Sequence, residues 1–101
     1  MATLLHKAKS SGSLGATAVT LERALRIEPD NPVIWNRLAK VRLAQGRLEQ
    51  AEALAMKSNA LAAKRPALWS GNWDIIARAR SRLGDDIGAA EARARSHDGS
   101  R

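Results

Sequence analysis

A chain of 101 residues is long enough for one small domain and too short for two. Its 17 Lys and Arg against 10 Asp and Glu give a formal charge of +7, which points to acidic partners: acidic peptides, nucleic acid or anionic lipid. The plainer reading of that charge is a solvated Arg-rich surface. With no cysteine there is no disulfide framework, thiolate metal site or Cys nucleophile, and no apolar run approaches the ~20 residues of a membrane helix.

Ala and Leu supply most of the hydrophobic content, and with Arg, Glu and Lys they are good helix formers because they lose little side-chain freedom in a helix. β-Branched residues are sparse and no run alternates apolar and polar, so the chain is read as all-α. A short helix is predicted over residues 3–10, TLLHKAKS, ending at Ser11-Gly12-Ser13. A second pattern runs from Leu14 through Ala18, Leu21, Ala24 and Leu25, one apolar stripe at helical spacing. It stops at Glu28-Pro29-Asp30-Asn31-Pro32, where two prolines bar continuation.

Asn31 is a candidate N-cap with Pro32 at the first helical position, where its missing N–H costs nothing. The helix that follows places Ile34, Trp35, Leu38, Ala39 and Val41 inward and ends at Gly46. A return helix runs from Arg47 to about Ala62, and Ala63-Lys64-Arg65-Pro66 connects to the next. That next helix starts at Pro66 or at Asn72 and runs to Leu83, because Ser70-Gly71-Asn72 weakens its continuity. Gly84-Asp85-Asp86 is read as a turn and N-cap, and Ile87 to about Arg95 as the last helix. Residues 97–101 are expected to fray.

Internal repetition organises these elements. A shift of 34 lays Leu4 on Leu38, Gly12 on Gly46 and Leu14 on Leu48; a shift of 38 lays Trp35 on Trp73, Leu38 on Ile76, Ala39 on Ala77 and Gly46 on Gly84. The four extra residues amount to about one helical turn, so the inward face keeps its register. The prediction is one domain over residues 1–101 with three antiparallel hairpins at 2–28, 32–62 and 66–96.

The spacing of Trp35, Leu38, Ala39, Gly46 and Ala51, with Leu21, Ala24 and Pro29 before it, resembles the tetratricopeptide repeat (TPR) family. The likeness covers nearly the whole chain and is strongest from Leu14 to Ala55. Two positions depart from the pattern: Arg42 stands where the family usually has an aromatic, and Ala55 where it often has a larger side chain. The chain is also similar to the TPR segments of small bacterial envelope proteins, often lipoproteins. MATLLHKAKSSG lacks the apolar core and charged lead-in of a secretory signal. A cytoplasmic location is therefore expected if the chain is full length, and a periplasmic or envelope-associated one if a signal was removed.

The resemblance implies a short right-handed α-solenoid that works as a non-catalytic protein-interaction or scaffold module. Its concave surface, lined by the first helix of each hairpin, would hold an extended or helical peptide. The residues this places in the groove are Lys9, Asn36, Lys40, Arg78 and Arg82, with His6 and Asp74 beside them. Lys40 and Arg78 are 38 apart and so equivalent in successive hairpins. Such a basic groove suits an acidic peptide or a C-terminal carboxylate, against the plainer reading of solvated helix faces.

Two other classes are weighed beside it. Each hairpin buries its apolar face only against neighbours, and no separate capping helix follows Arg95, so self-association through the end faces is the alternative. Nucleic-acid binding is favoured by the net charge and by Arg78, Arg80 and Arg82, and opposed by interspersed acids and the lack of a recognisable motif. Catalysis is not expected: His6 and His97 lie at opposite ends of the chain, and Ser96-His97-Asp98, being contiguous, cannot fold onto itself as a triad. No phosphate loop, metal spacing or cofactor motif is present. Trp35 and Trp73 are expected to pack between hairpins, while Trp69 is left open between core and surface.

Overall fold

A computed structural model of the chain describes the backbone of residues 2–63 and 65–99 and the side chains of residues 13–63 and 65–97. Five helices follow one another: α1 Ala2–Ile27, α2 Pro32–Ala44, α3 Leu48–Ala62, α4 Pro66–Arg82 and α5 Asp86–Gly99. No strand occurs among the described residues. None of the helices is long and apolar enough to cross a membrane.

The turns follow from a few residues. Asn31 caps α2 by accepting a hydrogen bond from the Val33 amide at 3.0 Å, with Pro32 next in line. At the other end Gly46 takes φ +76, its amide reaching Leu43 O at 3.0 Å and the Arg47 amide reaching Arg42 O at 2.9 Å. That pair of bonds is a Schellman cap, and it needs a left-handed residue that glycine adopts without penalty. The α4–α5 turn repeats it 38 residues on. Gly84 has φ +86, its amide bonds Ser81 O at 3.1 Å, and the Asp85 amide bonds Arg80 O at 2.8 Å. Asp85 then caps α5, its Oδ1 accepting from the Gly88 amide at 2.9 Å.

Helix α2 packs on α1 and α3, and α4 packs on α5, α3 and α2. The central core joins Ala39, Ala51, Ala55, Trp73, Ile76 and Ala92, with Leu43, Leu54 and Trp69 packed against it. A second cluster joins Ala18, Leu38 and Val41 with Leu14, Leu21 and Leu25, and Leu54 touches both.

Ionic ties follow the same register. Arg42 bonds Glu22 on α1, and Arg80, its equivalent 38 residues on, bonds Glu52 on α3 at 3.2 Å. Arg80 also donates to Gly88 O on α5 at 3.2 Å, so one guanidinium ties three helices. Arg42 thus replaces the family's aromatic with a half-buried charge whose partner stands on the preceding helix.

Three expectations change. No first hairpin forms at 2–28, because α1 is a single helix of 26 residues. Ser11-Gly12-Ser13 holds no proline, and one mid-helix glycine costs only about 1 kcal/mol, too little to break a helix by itself. Helix α4 begins at Pro66 and runs unbroken through Ser70-Gly71-Asn72. Tertiary contacts hold that stretch. Asn72 is fully buried in hydrogen bonds, and Trp69 packs edge-on against Trp73 with centroids 5.8 Å apart. At the C-terminus α5 continues to Gly99 rather than fraying at residue 97, steadied where Ser96 Oγ donates to Ser70 O on α4 at 3.0 Å.

Two predictions follow from these ties. Gly46→Ala and Gly84→Ala are each expected to cost about 1 kcal/mol through left-handed strain, read as a lower urea midpoint with an unchanged slope. Arg80→Ala should cost about 1 kcal/mol by removing a partly buried pair and a carbonyl cap. Arg78→Ala, which removes the exposed pair with Asp74, should leave the midpoint within about 0.5 kcal/mol of the wild type.

Candidate functional site

The residues predicted to line a groove are not all brought together. Helix α2 carries Asn36 and Lys40 one turn apart, and α4 runs beside it carrying Gly71, Asp74 and Arg78. Three adjoining recesses open along this face, and Lys40 lines all of them. One lies against α1, floored by Ala16, Thr17, Thr20 and Leu21 with Arg37 at its side. Another lies against the start of α4, between Asn36 and the Arg65–Leu68 turn. The third lies against the middle of α4, between Lys40, Leu43, Gly71 and Arg78.

Lys40 is exposed and stands at the centre. Arg78 is exposed in the same recess, and its Nε donates to Asp74 Oδ2 at 3.0 Å, one turn away on its own helix. A pair this exposed is worth little and leaves the guanidinium's remaining N–H groups for another acceptor. Arg82 lies elsewhere. Its Nη1 donates to Leu43 O at 3.3 Å, so it caps the end of α2 and lines none of the three recesses. Lys9, like His6, has a side chain outside the described residues.

Asn36 sits lower than a groove contact was expected to sit. Only 5% of it is exposed, and its Nδ2 donates to Asn72 Oδ1 at 2.7 Å. Asn72 donates in turn to Ser58 Oγ at 2.7 Å and to Asn59 Oδ1 at 2.9 Å, and Ser58 Oγ donates to Pro32 O at 2.7 Å. The network joins α2, α3 and α4 beneath the recess at the start of α4.

Arg37 and Arg65 add cations that were not picked out from the sequence. Arg37 had a legible signal, one turn before Lys40 on the exposed side of α2. Arg65 had none, since its place depends on how the α3–α4 turn folds back. Across the three recesses the lining cations are Arg37, Lys40, Arg65 and Arg78, and Asp74 is the one acid among the described residues there. The face is therefore electropositive even after Asp74 is set against Arg78.

The tryptophans divide. Trp73 is buried, with the Arg95 guanidinium 5.2 Å from its ring, and Trp69 packs against it half-buried. Trp35 is only half-buried. Its indole N–H donates to Pro29 O at 2.7 Å, and Lys57 lies over the ring at 5.8 Å. Its task is to pin the α1–α2 turn. None of the three lines the recesses. No group of three or more His, Asp or Glu residues close enough to hold a metal ion occurs among the described residues.

Comparison with known proteins agrees with this geometry. The solved structure of the globular C-terminal domain of P. aeruginosa LpoP is similar at a TM-score of 0.83 with 46% sequence identity, over 96% of this chain and 92% of that one. No curated protein matches the sequence. The tetratricopeptide repeat profile matches residues 8–71, which takes in the last part of the α1 helix, all of α2 and α3, and the start of α4. With that match over more than half its length, and with two hairpins in register, the chain belongs to the tetratricopeptide repeat family.

Proposed function

We propose that this chain is a non-catalytic protein-interaction module that binds an acidic or carboxylate-bearing peptide along the electropositive face of α2 and α4. The observation that carries the reading is the meeting of Lys40 and Arg78 in one recess. They occupy equivalent places in two successive repeats, so the fold sets two cations on one line with an open trough between them. Arg and Lys hold carboxylates by charge-assisted hydrogen bonds, about twice as strong as neutral ones. Arg37 and Arg65 extend the positive line to either side. A flexible acidic segment suits such a line better than a compact ligand, because the recesses are shallow and arranged in a row.

Binding of fluorescein-labelled short acidic peptides, followed by anisotropy, tests this. The double variant Lys40→Glu with Arg78→Glu is expected to weaken binding at least about tenfold, with helical content by circular dichroism unchanged. Arg82→Ala, away from the recesses, should bind as the wild type does. Affinity should also fall as salt rises, since the charges on this face are exposed and screened. Equal binding by the double variant and the wild type would overturn the reading. A single-stranded oligonucleotide binding in place of the peptide, with a steep salt slope, would reassign the face to nucleic acid. Concentration-dependent sedimentation without peptide binding would reassign the chain to self-assembly.

A further inference from the structure

The network beneath the groove fixes which way a recognition group faces. Ser58 has one hydroxyl proton and spends it on Pro32 O at 2.7 Å. Its oxygen must then accept from Asn72, which turns the Asn72 amide nitrogen toward α3, where it also reaches Asn59 Oδ1 at 2.9 Å. That leaves Asn72 Oδ1 facing α2, where it accepts from Asn36 Nδ2 at 2.7 Å. Asn36 is thereby held with its nitrogen engaged and its oxygen free. The amide orientation follows from the donor count along the relay.

Asn36 is 5% exposed, it lines the recess at the start of α4, and its Oδ1 accepts from none of the described residues. A rigid, nearly buried acceptor without a partner at the floor of an open recess calls for a donor from outside. Gly71 lies beside it on α4 and lines this recess and the next. A Cβ added at Gly71 would have a single neighbour, Asn36 Nδ2 at 4.0 Å, an ordinary contact distance. The fold would accept alanine there, and a mid-helix alanine is more stable than glycine. What the missing side chain provides is a bare strip of helix next to the Asn36 amide, deep enough for another main chain to approach.

We propose that Asn36 Oδ1 and Gly71 form a subsite for the main chain of an extended acidic peptide, with Asn36 accepting from one backbone N–H and Asn72 acting as a positioning residue. This rests on the peptide-binding reading above and adds where and in what conformation the ligand runs. The ligand is extended because the interior N–H groups of a helix are already spent within it. It is acidic because Lys40, one turn along α2 from Asn36, and Arg78 flank the strip.

The test uses a labelled acidic peptide that binds the wild type, together with a series in which each backbone amide is replaced in turn by an ester. Replacing N–H with O removes a donor and leaves the side chains in place. One ester position is expected to weaken binding to the wild type about three- to tenfold, the worth of one hydrogen bond. Asn36→Ala should weaken the parent peptide by a similar factor and become indifferent to that same ester, a coupling that a fold defect would not produce. Asn72→Ala should show the same indifference while keeping the salt dependence contributed by Lys40 and Arg78.

Gly71→Ala guards against misfolding as an explanation, since it should raise the melting temperature while weakening the peptide. If every ester binds like the parent, or if Gly71→Ala binds as tightly as the wild type, the subsite is overturned. The basic-groove reading then still stands, provided the Lys40→Glu and Arg78→Glu double variant has lost binding. If no acidic peptide binds the wild type at any salt concentration, both readings fall together.

Discussion

The structure depends on how closely its helices approach one another, and alanine sets that distance. Ala39, Ala51, Ala55, Ala77, Ala79, Ala89 and Ala92 have almost no exposed surface, and they stand on α2, α3, α4 and α5 where those helices meet. A methyl group at each crossing lets backbones draw near and spreads dispersion contacts over many small groups rather than a few large ones. The core therefore needs few bulky residues. Ile76 and Trp73 fill the larger gaps in the second hairpin, and Leu38 and Val41 those beside α1. Overpacking such a crossing by even one methylene pushes whole helices, so the alanines tolerate change less than their size suggests.

Close approach also explains the polar features that repeat with the hairpins. Where the family often uses an aromatic, Arg42 and Arg80 reach across to Glu22 and Glu52 on the preceding helix. A long side chain with an apolar stem covers the seam, and its charged head finds a partner at the edge. The Asn72 hub does comparable work between α2, α3 and α4, where an apolar residue would have packed as well but would have left Asn36 without a fixed orientation. Structural and recognition tasks thus share one set of atoms on the groove side.

Sequence reasoning reached the parts of this architecture governed by local rules. Asn31-Pro32, Gly46 and Gly84 mark helix ends by capping and by left-handed glycine, and the structure places ends at each. The shift of 38 residues paired Lys40 with Arg78 and Gly46 with Gly84 before any coordinates. What it missed depends on tertiary context. Ser11-Gly12-Ser13 looks like Gln45-Gly46-Arg47 in composition, yet α1 continues through it, because a glycine permits a turn without requiring one. Asn36 looked like a surface residue of α2, and only the relay from Pro32 through Ser58 and Asn72 explains why an amide sits 5% exposed there. Arg82 looked equivalent to the groove cations by spacing, but its position near the end of α4 brings it over the last carbonyls of α2.

The two hydrophobic clusters share a single residue, Leu54. Helix α1 packs against α2, whereas α2 through α5 form a continuous chain of mutual contacts. Few atoms would have to separate for the described part of α1 to leave its seat while the two hairpins stay assembled. The molecule then has two levels of amide protection against solvent exchange, a lower one for α1 and a higher one centred on Ile76 and its neighbours. A ligand spanning Arg37 on one side of Lys40 and Gly71 on the other would tie the recess against α1 to those against α4, raising the lower level toward the higher.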